Sequence, residues 1–143
     1  MKQHVKAIGK FLFSVVVTFL LVLGVKIAVD GCWLIFLPID DNVETVTIEY
    51  PDLSSEVKEI TDASDLKKCT ALLNTLKYDI FQRSDDTSDP LIIYTFHLKD
   101  GSELVVSANN KTVFFRGKQH VLKEPDVFVN LTTVLFFLRE TAE

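Results

Sequence analysis

The chain has 143 residues, 48% of them hydrophobic and 24% charged, with a formal net charge of −5. Its charge is divided unevenly: four of the 15 basic residues and none of the 20 acidic ones precede Asp30, so the chain from Asp30 onward balances 11 against 20, near −9. An acidic domain of that kind repels nucleic acid and anionic lipid, which excludes a nucleic-acid role.

Ile8 to Val29, IGKFLFSVVVTFLLVLGVKIAV, is an almost unbroken apolar run. About 20 such residues, at roughly 1.5 Å each in a helix, match the hydrocarbon core of a bilayer. Lys2, Lys6 and Lys10 precede it, with His4 among them. Lysine close to a span stays on the cytoplasmic side, so residues 1–7 are expected inside as a basic tail and the C-terminal part outside. Lys10 and Lys26 then mark the two membrane interfaces, Lys26 by carrying its ammonium outward on a long stem. Trp33 suits the outer interface, where an amphipathic ring is at home.

Two other readings of this stretch are a cleaved secretory signal and a lipoprotein signal ending at Cys32. The first needs small residues at −3 and −1, and Lys26, Asp30 or a bulky chain stands in the way. In the second, Asp30 and the mature start Trp33-Leu34-Ile35-Phe36-Leu37 fit poorly. An uncleaved signal anchor over 8–29 needs no special assumption. A helix from Ile8 to Leu37 would be about 45 Å long, so residues 32–37 either project above the membrane or lie in the headgroup layer. Pro38 ends it. Lys26 and Asp30 are spaced to pair, and Gly24 with Ala28 would let another helix approach.

Residues 30–42 read as a juxtamembrane linker and 43–143 as one extracytoplasmic domain; roughly 105 residues suit a single core. Val43 to Tyr50 alternates, with Val46, Ile48 and Tyr50 on one face, which predicts a half-buried strand. Val57 to Ile60 suggests a short second one. Asp62 is a helix cap, and Leu66, Cys69, Leu72, Leu73 and Leu76 make an apolar stripe on a helix expected to end near Tyr78. Phe81 to Asp89 reads as a polar loop. Leu91–Lys99, Leu104–Ala108, Thr112–Arg116 and Gln119–Leu122 form a meander of four strands, with turn signals at Asp100-Gly101, Asn109-Asn110 and Gly117-Lys118. After Pro125 a final helix is expected, with Phe128, Leu131, Leu135 and Leu138 on one face and Val127 and Val134 flanking. The predicted class is α+β: an N-terminal transmembrane helix, then a small antiparallel sheet in the order β-(β)-α-β-β-β-β-α packed with two helices.

Chemistry is hard to find. No catalytic, nucleotide-binding or C-x-x-C motif is present. His97 and His120 lie far apart, which gives no basis for a zinc site. The acidic run Asp85-Asp86-Thr87-Ser88-Asp89 lacks the glycine and terminal glutamate of a calcium loop and reads as a solvated turn. Cys32 and Cys69 are too few for a disulfide framework, and Cys69 on the helix stripe reads as a buried thiol. Arg116 and Lys118 form a charged hairpin tip. No cofactor or metal is expected, and no catalytic residue is assigned.

The order TVTIEY, EITDASDL with its leucine-rich helix, FHLKDG and FFRGK resembles small membrane-anchored extracytoplasmic domains of low-GC Gram-positive bacteria, many of them of unknown function. The resemblance spans roughly Val43 to Leu138 and implies a cell-surface protein without implying site residues. The sequence thus points to membrane lipid as partner of residues 8–29 and to a non-catalytic interaction module with a protein or peptide partner outside the cell. The alternative is a small-ligand or ion-binding domain, and an envelope hydrolase lacks its motif.

Overall fold

The computed structural model describes residues 2–34, 37–38, 40–85 and 87–138, so the expectations placed on Ile35, Phe36, Asp86 and residues 139–143 lie outside the described residues. An apolar N-terminal helix is followed by an antiparallel sheet of eight described strands and two further helices, an α+β architecture. Helix α1 runs Lys2–Asp30, and its segment Ile8–Asp30 is long and apolar enough to cross a membrane. Its apolar side chains face outward along most of that length, because no part of the domain packs over them.

The strands are β1 (Cys32–Trp33), β2 (Val43–Glu49), β3 (Lys58–Ile60), β4 (Lys77–Arg83), β5 (Ile92–Leu98), β6 (Glu103–Ala108), β7 (Thr112–Phe115) and β8 (Lys118–Leu122). They are ordered β1-β4-β8-β7-β6-β5-β2-β3. The expected meander β5 to β8 is present, each strand beside the next. Alternation fixes its faces. Val46, Ile48, Ile92, Tyr94, Phe96, Val106, Ala108 and Val113 point to one side and are fully or almost fully buried. A one-residue slip would turn all of them to solvent, so burial locks the register.

Helix α2 (Ala63–Leu73) and helix α3 (Val127–Thr132) cover that face. Asp62 caps α2 as expected, accepting from the amides of Ser64 and Asp65. Tyr94 is the centre of the core. Its ring lies 5.4 Å from Phe128 and 6.5 Å from Phe136, and its hydroxyl shares a 3.0 Å hydrogen bond with that of Thr132. That bond satisfies two buried hydroxyls at once, avoiding the desolvation cost of leaving either unmade.

Two expectations are corrected. Helix α2 stops at Leu73 rather than near Tyr78, and the segment from Lys77 to Arg83 is a strand. Asn74 and Thr75 are poor helix formers, and two tight turns, Thr75 N–H to Leu72 O and Leu76 N–H to Leu73 O, close the helix while still delivering Leu76 to the core. Pairing with β1 on one side and β8 on the other then claims the following residues, so Phe81–Arg83 are not loop. The second correction concerns α3. The buried residues are Phe128, Val129, Thr132 and Phe136, while Leu131 and Leu138 are exposed. From Thr133 to Phe137 the helix widens to a π turn, with Leu138 N–H donating to Thr133 O, and the inward face shifts accordingly.

The expected linker 30–42 contains sheet residues. Gly31 and Leu34 are buried, and Cys32 and Trp33 pair with Tyr78 and Lys77. Gly31 ends α1: its N–H donates to Ile27 O and its φ is +86°, the left-handed helix stop that glycine adopts without penalty. A Cβ there would stand 2.6 Å from Cγ of Lys123 and 2.9 Å from the Tyr78 carbonyl oxygen. Gly117 also has a positive φ, in the two-residue turn Arg116–Gly117, but open space surrounds it. Gly31→Ala should therefore destabilise the chain by about 1–3 kcal/mol, and by more than Gly117→Ala, in urea unfolding of the full chain in detergent micelles.

Candidate functional site

The residues expected at the membrane interfaces lie on α1 and β1. Lys10 and Lys26 are both exposed on α1. Sixteen residues separate them, about 24 Å along the axis, which their stems extend toward the thickness of a hydrocarbon core. Trp33 is 45% exposed on β1, and the ammonium of Lys77 lies 5.6 Å from its ring centroid, a cation held over an aromatic face.

Sequence reasoning missed the joint that fixes α1 to the domain. The last turn of α1 has no basic residue of its own. Lys123, directly after β8, supplies one: its Nζ donates to Ala28 O at 3.3 Å and to Asp79 Oδ2 at 2.8 Å. A cation at that end complements the carbonyls left open by the finished helix. Ile27 and Ala28 are partly buried as β4 passes beside them.

Asp79 has a second task. Between β4 and β8 the register jumps: Asp79 pairs with Val121 and Arg83 with His120, so Ile80, Phe81 and Gln82 form a wide bulge. The other carboxylate oxygen of Asp79 accepts from the amides of Phe81 at 2.8 Å and Gln82 at 3.2 Å, which closes the bulge. Ile80 and Phe81 are pushed outward, 47% and 73% exposed. Beside the bulge an open cleft of about 550 Å³ is lined by Tyr78, Asp79, Arg83, Lys118 and His120 among others. The His120 ring lies 4.3 Å from that of Tyr78, and burial together with the nearby Lys118 charge holds its pKa below the usual histidine value. It is therefore largely neutral at pH 7.

The face of the sheet away from the helices is lined by Thr45, Thr47, Thr95 and Val105 in its middle, with His97 3.1 Å from Glu103 at one end. The chain after β4 folds back over the other end, where the hydroxyls of Ser84 and Thr112 meet at 2.8 Å. Among the described residues no three of His, Cys, Asp and Glu converge as a metal ion would require. Both cysteines are free: Cys69 is buried on α2, where burial pushes its thiol up to about 12, and Cys32 is partly exposed. His97 and His120 stand on different parts of the sheet, and Asp85 and Asp89 flank the residue outside the described set.

A third surface lies on α3. Val127, Leu131, Val134 and Leu138 are 38–55% exposed and follow one another at spacings of four, three and four. One turn buries Phe128 and Thr132, and the opposite side of the same element remains apolar. No family model, curated protein or solved structure matches the chain.

The Lys123 hydrogen bond, then the amides of the bulge, hold the Asp79 carboxyl below the usual carboxylate range. The unfolded chain therefore takes up its proton first as pH falls. Stability from this group is complete above the ordinary value and is lost as pH drops through the native one. Asp79→Asn should flatten the acid side of the stability curve, from the ordinary carboxylate range downward, read by urea unfolding in micelles.

Proposed function

We propose that this chain is a non-catalytic interaction module held at the cell membrane by α1, with residues 1–7 in the cytoplasm and residues 43–143 displayed outside, where a protein or peptide partner binds. Membrane anchoring is supported by the length and apolar surface of Ile8–Asp30, and orientation by the lysines at positions 2, 6 and 10. The resemblance to small membrane-anchored domains of low-GC Gram-positive bacteria belongs to the same reading.

The observation that carries the partner is the set of exposed apolar side chains on α3 and the π turn that follows it. A helix that has already buried Phe128, Val129, Thr132 and Phe136 leaves Val127, Leu131, Val134 and Leu138 in water. Exposed apolar side chains gathered on one short element mark surfaces that another chain covers. A sensor, an accessory subunit and an immunity-type factor all use a surface of this kind.

Leu131→Lys combined with Val134→Lys should leave the melting temperature of the full chain nearly unchanged. Recovery of a partner by affinity purification from membranes of the native host should fall by about tenfold, which corresponds to about 1.4 kcal/mol of affinity lost from the pair. Undiminished recovery would remove α3 as the binding surface. Orientation has its own test. A membrane-impermeant maleimide applied to intact cells should label the wild type and leave Cys32→Ser unlabelled, because Cys69 is buried and protonated. Labelling of Cys32 only after lysis would place the domain inside.

A further inference from the structure

We propose that the bulge of β4, together with Trp33, rests in the headgroup layer of the membrane that α1 crosses, so that the domain lies on the lipid by its β1–β4–β8 edge. The inference depends on α1 spanning the bilayer. Everything else in it follows from where the strands put their side chains.

Strand β1 leaves Gly31 and pairs antiparallel to β4, Cys32 opposite Tyr78. Following β4 forward from Tyr78 therefore leads back past Gly31, toward α1. Asp79, the next residue, is tied through Lys123 to Ala28, inside the apolar segment 8–29. Ile80 and Phe81 come immediately after, so they sit beside the last turn of the helix. Val25 and Val29 are 64% and 69% exposed there. Val25 and Val29 on the helix and Ile80 and Phe81 on the bulge thus expose apolar side chains on either side of the joint, at the depth where lipid gives way to water.

Charge on this edge suits phosphate. Lys77 stands over Trp33, and Arg83 and Lys118 are exposed beside the cleft that Ile80 borders. Asp79 is taken up by Lys123, and the exposed carboxylates Asp30, Asp85 and Glu124 stand against Lys77, Arg83 and Lys118, so this rim is balanced in charge where the whole domain is acidic. An aromatic ring with flanking cations is the composition that partitions to a headgroup boundary.

Trp33 is the only tryptophan, which allows a reporter to be moved. In the Trp33→Phe background, Phe81→Trp, Leu20→Trp and Leu53→Trp are placed singly in the full chain, reconstituted into vesicles whose phosphatidylcholine is brominated near the top of the acyl chain. Leu20 is mid-span and Leu53 lies in the turn before β3, at the opposite edge of the sheet. The reporter at position 81 should lose most of its emission to the brominated lipid, shift to the blue and resist iodide, while Leu53→Trp does the reverse. If Leu20→Trp is quenched by lipid but Phe81→Trp responds only to iodide, the bulge stands in water and the proposal is overturned while the span survives. If Leu20→Trp also escapes the lipid, the spanning helix itself is wrong and the proposal falls with it.

Discussion

One ammonium group decides how this molecule is held together. Lys123 joins the end of a helix made of residues 2–30 to a strand that begins at residue 77, and it does so from the far end of the meander. Three segments distant in sequence meet at one point. The Ala28 carbonyl has no helical partner left, Asp79 has an unspent oxygen, and the lysine answers both. Gly31 permits the approach, since any side chain there would occupy the space of the lysine stem. Helix α1 is consequently fixed to the sheet rather than strung from it.

That joint also explains why so much of the molecule's irregularity lies at one edge. The carboxylate that receives Lys123 simultaneously gathers two amides of the bulge, so the bulge and the helix attachment stabilise each other. Across the sheet strands β2, β5 and β6 do the opposite work. They bury Tyr94, Phe96 and Ile48 under the two helices and contribute eight of the 21 buried hydrophobic residues described. The fold thus divides into a well-packed half and an edge with polar joints and outward apolar side chains.

Much of the architecture was legible because its period was undisturbed. Ile92, Tyr94, Phe96 and Leu98 alternate without interruption, and Asp100-Gly101 announces the following turn. Strand β4 was hidden because three bulged residues break its alternation, and because Leu76 continues the helical stripe after the helix has ended. The α3 register was misjudged because a π turn changes the number of residues per revolution, which a 3.6-residue pattern cannot express. Of the residues proposed for a membrane interface, Lys10, Lys26 and Trp33 stand out in the sequence by type and position. Ile80, Phe81 and Lys123 do not, since their meaning depends on a strand pairing that brings residue 79 to residue 28. A glycine placed just after a long apolar helix was the single local hint of the joint.

The two ends of the sheet are unequal to its middle. Strand β1 has two residues and β3 has three, and the Nζ of Lys58 on β3 is committed to the Phe136 carbonyl. Such stubs offer an incoming strand little ladder to extend. Copies of the chain brought side by side would therefore not zip edge to edge into fibres, leaving association to side-chain surfaces.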